Sequence, residues 1–260
     1  MEIPAVALEH LELACTSRLG SPARWTPPAR FRSSLALCVI DAVQCTAGHY
    51  PTTLAVTDHY RAYRARQHAA GLHSPGHRDG TRALLRTFEE SGGTTAWSGK
   101  VAMYRTRHAT PAQAVKARSI QRAAAAFHDL RIDATGDLAA MLPHAATRSL
   151  AVNAWRGAAS HGFTDSWDYL LLLAGIHPVD EASALRHCHR FLAGALPPAG
   201  NEAAMRARHA GRVLGLVEVL AERLGTSTEA LVLAINRWGN GHRAFAVPGP
   251  GVGWAEHAAN

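Results

Sequence analysis

The chain has 260 residues, of which 47% are hydrophobic, and this is enough for a sizeable core in one large domain or two small ones. Glu2 follows Met1, whereas a signal peptide would begin with basic residues. Apolar runs such as residues 170–174 are too short to span a membrane. We therefore expect a cytoplasmic protein. The formal charge of +7 favours a polyanionic partner such as nucleic acid, although an ordinary basic protein is the alternative.

Two residue types limit the chemistry. The four cysteines, at positions 15, 38, 45 and 188, form no CxxC pair and are expected to be reduced core thiols. Arginine supplies nearly all the positive charge, because Lys100 and Lys116 are the only lysines. Schiff-base chemistry needs a lysine or a free amine, so few side chains of this protein could take part in it.

Apolar residues recur at spacings of three and four, and strand-like alternation is scarce, so the predicted fold class is all-α. Ser33 and Ser34 precede a buried helix from Leu35 to about Thr46, which we expect Gly48, Tyr50 and Pro51 to end. Further helices are predicted over residues 53–69, 81–91, 111–130 and 135–142, with a surface loop at 71–80.

The segment 148–175 is predicted to form two helices joined at Ser160, His161 and Gly162. The later helices are predicted over residues 180–196, 203–224 and 227–238, with a linker at 197–200 and an irregular tail after Gly239.

Four segments occur in the same order as the characteristic segments of a known protein superfamily. They are the helix 35–46 with Val39, Ile40, Val43 and Gln44; Lys116-Ala117 with Ile120 and Ala124; the hairpin around Gly162 with Leu173-Ala174-Gly175; and Pro178-Val179-Asp180. Together they resemble the helix-hairpin-helix DNA glycosylase superfamily, which includes endonuclease III and the alkyl- and oxo-purine glycosylases. The resemblance implies a two-lobed helical fold, with residues 31–175 as a central barrel-like lobe and residues 1–30 plus 176–260 as the second.

The implied function is a DNA glycosylase that flips out a modified base of double-stranded DNA and excises it. Lyase-competent members carry a lysine where this chain has Thr164, so the resemblance implies a monofunctional hydrolase that leaves an abasic site. The iron–sulfur cysteine signature of some members is missing, and we expect no cofactor or metal, and a monomer. Members of the superfamily act on oxidised or alkylated bases, or on glucosylated hydroxymethylcytosine of viral DNA, so either repair or antiviral defence is open.

The hairpin is the expected phosphate-binding element. A glycine hairpin ahead of a helix N-terminus offers backbone N–H groups to phosphate oxygens, and basic side chains nearby add contacts. The expected DNA-phosphate contacts are Ser160, His161, Gly162, Thr164, Arg148 and Arg156. Ser160 replaces the family's first hairpin glycine, and a simple αα-corner is the alternative.

Asp180 is the expected catalytic residue, because a carboxylate stabilises the positive charge that base removal creates on the sugar. A plain helix N-cap is the alternative role. The family's D-x-H-x-x-R register, counted back from Arg190, gives Leu185 in place of the acid. If that register holds, the acid is Glu181, Asp165, Asp168 or Asp41, or the protein binds DNA without cleavage.

A base pocket is expected from Asp41, Gln44, Tyr50, Trp167 and Tyr169. Asp41 lies in an apolar helix and needs a partner. It pairs with an arginine or caps a helix, or else it contacts the flipped nucleotide or a cytosine-type amino group. Gln44 and Tyr50, with His49, are candidates to enter the gap left by flipping, and the two aromatic residues either stack on a base or belong to the core.

Two competing functions remain. One is a noncatalytic DNA-binding or lesion-sensing module, and the other is a helical interaction protein unrelated to nucleic acid. Among the 16 histidines, His187-Cys188-His189 invites a metal site, but residues at i and i+2 of a helix point to different faces.

Overall fold

The computed structural model describes residues 4–25, 29–45, 50–70, 79–103, 111–158, 166–176, 185–196 and 210–242. These ranges are helical and contain no β-strand, which confirms the all-α class. The helices are α1 Ala5–Leu19, α2 Ala29–Arg32, α3 Leu35–Gln44, α4 Tyr50–Ala69, α5 Thr81–Ser91, α6 Thr94–Lys100, α7 Pro111–Asp129, α8 Thr135–Met141, α9 Ala145–Ala158, α10 Ser166–Ala174, α11 Arg186–Ala195, α12 Ala210–Arg223 and α13 Thr228–His242, with a 3₁₀ turn at Pro22–Arg24.

Helix α3 is the centre of the fold. It begins at Leu35, as predicted from the serines that precede it. The Ser34 side chain accepts a hydrogen bond of 3.0 Å from the backbone N–H of Leu37, which satisfies one of the free donors of the first turn. Every residue of α3 is buried. A helix that is buried on all sides must be surrounded by other elements, and α2, α4, α5, α7 and α10 pack against it.

Several predicted boundaries change. Helix α3 ends at Gln44, before Tyr50 and Pro51, as predicted, but α4 begins at Tyr50 and not at residue 53. Tyr50 and Pro51 belong to the first turn of α4, where a proline costs no hydrogen bond. Helix α6 was not predicted, and the last helix continues beyond Trp238 to His242. The predicted starts at residues 180 and 203 lie outside the described residues.

Buried apolar side chains form two clusters. The first surrounds α3 and draws on residues 31–174, with Leu233 of α13 added. The second draws on α1, α11, α12 and α13. Leu172 of α10 packs against both clusters, so α10 and α13 connect them. The division into two domains itself stays a prediction.

The cysteines lie in these clusters. All four are buried and none forms a disulfide, as expected for core thiols. Burial raises the pKa of Cys15 and of Cys188 to about 12, so both remain protonated thiols at neutral pH. Within the described residues, no helix has the length and apolarity that a membrane crossing requires.

Candidate functional site

A buried polar cluster lies where α3, α10 and α13 meet. Arg237 Nη2 of α13 lies 2.5 Å from Asp41 Oδ2 of α3. Tyr169 of α10 donates its hydroxyl to Asp41 Oδ1 at 2.6 Å and accepts from Arg237 Nε at 2.7 Å. These three residues are 0–3% exposed. The cluster is therefore a closed triangle that joins both cores.

The charges of the triangle compensate each other. Burial of an ion pair is tolerated when further hydrogen bonds satisfy its remaining groups, as the Tyr169 hydroxyl does here. Burial, reinforced by the negative charge of Asp41, holds the pKa of Tyr169 well above its usual value, so the phenol keeps its proton and donates. The guanidinium of Arg237 also lies over the Phe31 ring, 5.3 Å from its centroid.

Asp41 therefore takes the pairing role that the sequence left open. Its partner, Arg237, was missed, although an arginine two residues after the apolar run 230–235 was a signal that a buried acid exists elsewhere. Contact of Asp41 or Tyr169 with a flipped base stays a prediction, and it requires this triangle to open. Trp167 is partly buried and packs against the first cluster.

The end of α3 is fixed by a lysine. Lys116 of α7 donates from Nζ to the Gln44 carbonyl oxygen at 2.9 Å, and a cation at a helix C-terminus is favourable. Burial lowers the pKa of Lys116. The Gln44 side chain is buried, so its entry into a duplex gap stays a prediction that requires the side chain to leave the interior. Tyr50 is the first residue of α4.

The helices on either side of the predicted hairpin are held together at their ends. Trp155 near the end of α9 donates from its indole Nε1 to the Ser166 hydroxyl, the first residue of α10, at 3.1 Å. The Trp155 ring also stacks on Phe127 of α7, with centroids 5.8 Å apart. The end of α9 and the start of α10 are therefore close to each other. The predicted phosphate contacts of the hairpin, Ser160, His161, Gly162 and Thr164, lie outside the described residues.

The predicted basic contacts Arg148 and Arg156 lie on α9, where Arg148 is half-buried and Arg156 is exposed. Among the candidate acids, Asp180, Glu181 and Asp165 lie outside the described residues. Asp168 lies in the first turn of α10 and is half-buried.

The ring of His187 on α11 packs against Gly239 of α13, where a Cβ atom would collide with its Nδ1. Burial lowers the pKa of His187, and the charges of Arg190 and Arg186 lower it further, whereas Asp168 acts in the opposite direction. The ring is therefore neutral at pH 7. In the described part of the chain, no group of three histidine, cysteine or acidic residues could hold a metal ion.

Comparison with known proteins gives a family and no activity. Residues 9–239 match the family described as "Domain of unknown function (DUF8548)", so the chain belongs to that family. No curated protein and no solved structure was found to match the chain.

Proposed function

We propose that this member of the DUF8548 family binds duplex DNA, flips out a modified base and hydrolyses its N-glycosidic bond, leaving an abasic site. The observation that carries the proposal is the Trp155–Ser166 hydrogen bond. Because this bond holds the end of α9 beside the start of α10, the two helix ends that flank the predicted hairpin lie close together. A glycine hairpin at Gly162, as the sequence predicts, is suited to present backbone N–H groups to a phosphate.

The positions of both lysines support simple hydrolysis. Lys116 donates to the Gln44 carbonyl oxygen and Lys100 to the Ser91 carbonyl oxygen, at 2.9 and 3.0 Å. Each amine is thus engaged at the end of a helix, and Thr164 provides none. In this reaction a water molecule attacks C1′ of the deoxyribose, and the base departs with the electron pair of the broken bond and a proton. The carboxylate of Asp180 stabilises the positive charge that develops on the sugar.

The second candidate function is a noncatalytic DNA-binding module, and the Asp41–Arg237 pair favours it. Asp41 is the acid of the predicted pocket, it is fully buried, and Arg237 neutralises its charge. Catalysis then depends on Asp180 or on another acid near the start of α11 or α10. A module without an available acid binds DNA and releases no base.

The two functions are separated by alkali-developed strand cleavage. The purified protein is incubated with oligonucleotides that carry oxidised or alkylated bases, and with phage DNA that carries hydroxymethylated or glucosylated cytosine. Alkali-labile sites on one substrate, lost in Asp180→Asn and retained in the control Asp129→Asn at the exposed end of α7, establish a glycosylase. Salt-dependent duplex binding with no labile sites on any substrate contradicts the glycosylase and favours the binding module.

A further inference from the structure

Formal charge is unevenly distributed over the two cores. Helices α7 and α9 of the first core carry five basic side chains and one acidic one: Lys116, Arg118, Arg122, Arg148 and Arg156 against Asp129. Helices α1 and α12 of the second core carry three basic and four acidic ones: Arg18, Arg212 and Arg223 against Glu9, Glu12, Glu218 and Glu222. Helices α7 and α9 together therefore have a formal charge of +4, from five basic and one acidic side chain, whereas α1 and α12 together have −1, from three basic and four acidic side chains.

Within the described helices, no acidic side chain forms an ion pair with the arginines of α7 and α9. Four other arginines do face acids, in the pairs Arg32–Glu229, Arg64–Asp79, Arg223–Glu12 and Arg237–Asp41. Arg118, Arg122, Arg148 and Arg156 form no ion pair with any carboxylate in the described ranges. Arg118, Arg122 and Arg156 are exposed, so their charge faces solvent.

Helices α7 and α9 are neighbours in the fold. They pack side by side, with the Phe127–Trp155 stack between them. Arg118 and Arg122 are four residues apart and therefore neighbours on the exposed stripe of α7. Like charges at this spacing repel each other, and an anion bound to both relieves the repulsion. Helix α9 ends at Ala158, directly before the predicted hairpin in the chain, so Arg156 lies at the end of α9 that leads to the proposed phosphate contact.

We infer that the exposed arginines of α7 and α9 form a phosphate-binding face for duplex DNA, on which Arg118 and Arg122 contact the backbone beyond the hairpin. This inference rests on the proposed function. Guanidinium groups match phosphate oxygens in two parallel hydrogen bonds and are sequence-independent when they contact phosphates. The face therefore adds affinity and orientation to the hairpin contact and leaves base choice to the pocket.

The test measures the affinity of the full-length protein for an unmodified DNA duplex over a series of salt concentrations. Arg118→Ser with Arg122→Ser removes two phosphate contacts, so the slope of log affinity against log salt becomes shallower by about 1.8, and affinity at low salt falls on the order of tenfold per arginine. Arg118→Lys with Arg122→Lys keeps the charge and most of the slope. Arg212→Ser with Arg223→Ser removes equal charge from the second core and leaves the slope unchanged.

Three results overturn the inference. These are an unchanged slope in the Arg118 and Arg122 serine variant, an equal loss in the Arg212 and Arg223 variant, or tighter binding of a duplex RNA of the same sequence. The measurement needs no base excision. Failure to release any base, together with the expected loss of slope, would refute the glycosylase and leave the phosphate-binding face established. Circular dichroism confirms that each variant keeps its helices.

Discussion

Arg237 and Asp41 lie 196 residues apart in the chain and form a buried ion pair that connects the last described helix to the central one. Since both partners are buried, removal of either one leaves the other in the interior without its opposite charge. The pair therefore couples the stability of α13 to that of α3.

Breaking this pair is expected to be strongly destabilising. Arg237→Met leaves Asp41 charged and unpaired, and loss of one partner of a buried pair costs about 3–5 kcal/mol. Asp41→Leu combined with Arg237→Met removes both charges and should recover much of that loss. Urea unfolding of the unmodified protein, Arg237→Met and the double variant gives the three free energies of unfolding that test this expectation.

The exposed pair Arg32–Glu229 provides a control, because its side chains are 49% and 56% exposed. Arg32→Met should cost only about 0–1 kcal/mol. A double variant that is no more stable than Arg237→Met alone would contradict the assignment of the loss to an uncompensated charge.

The hydrogen bond between Trp155 and Ser166 should affect DNA affinity more than stability. Ser166→Ala leaves the buried indole N–H without a partner, which costs about 1–3 kcal/mol, and frees the start of α10 from the end of α9. We expect a several-fold weaker affinity for duplex DNA while cooperative unfolding persists. Fluorescence anisotropy and urea unfolding measure the two effects.

The chain contains a matched control for this variant. Trp97 donates its indole N–H to the Thr87 hydroxyl at 2.9 Å, within the first core and between α6 and α5. Thr87→Ala should therefore lose similar stability and retain the affinity for DNA. An equal loss of affinity in both variants would show that general destabilisation explains the effect.

Alkaline pH should destabilise the fold through its thiols. Cys188 has a folded-state pKa raised by burial to about 12, from about 9 in the unfolded chain. The stabilisation is complete below pH 9 and is lost as pH rises towards 12, because only the unfolded chain releases the proton in this window. The loss is about 1.4 kcal/mol per pH unit for one such group.

Urea unfolding at pH 7 and pH 10.5 tests this expectation. Cys188→Ala removes one titrating group, so it should have a smaller difference in unfolding free energy between the two pH values than the unmodified protein has. The same difference in both proteins would contradict a buried, protonated Cys188. Iodoacetamide should react with this thiol only after unfolding.

Neither lysine should form an imine with an abasic site. Lys116 is held by the Gln44 carbonyl and Lys100 by the Ser91 carbonyl, so incubation with preformed abasic DNA and borohydride should yield no covalent adduct. Strands should break only after alkali treatment. An adduct that disappears in Lys116→Arg and persists in Lys100→Arg would show that the amine of Lys116 is available and that the enzyme is a lyase.

Local signals predicted part of this fold. Ser34 and the apolar residues after it indicated α3, and the strong spacing pattern of residues 81–91 gave the bounds of α5. Helix α1 was not predicted because Val6 and Leu13 are exposed while Leu11 is buried, which blurs its apolar face. Helix α6 has seven residues, too few for a periodic pattern to emerge.

The candidate site was less accessible to sequence reasoning. The sequence indicated that Asp41 needs a partner, because a buried carboxylate cannot remain alone. Spacing along one helix carries no information about a residue on another, so Arg237 could not be chosen among the arginines. The same limit applies to Trp155 and Ser166, whose contact depends on how two helices turn back on each other.

The place of Arg237 near the end of the described chain has a consequence for biosynthesis. While the ribosome still encloses α13, the newly made helices α3 and α10 have no cation for Asp41, and Leu233 has not yet filled its place in the first core. At a synthesis rate of about 5–20 residues per second, this incomplete core is exposed for several seconds. Completion of the first core is therefore a late event in the synthesis of this chain.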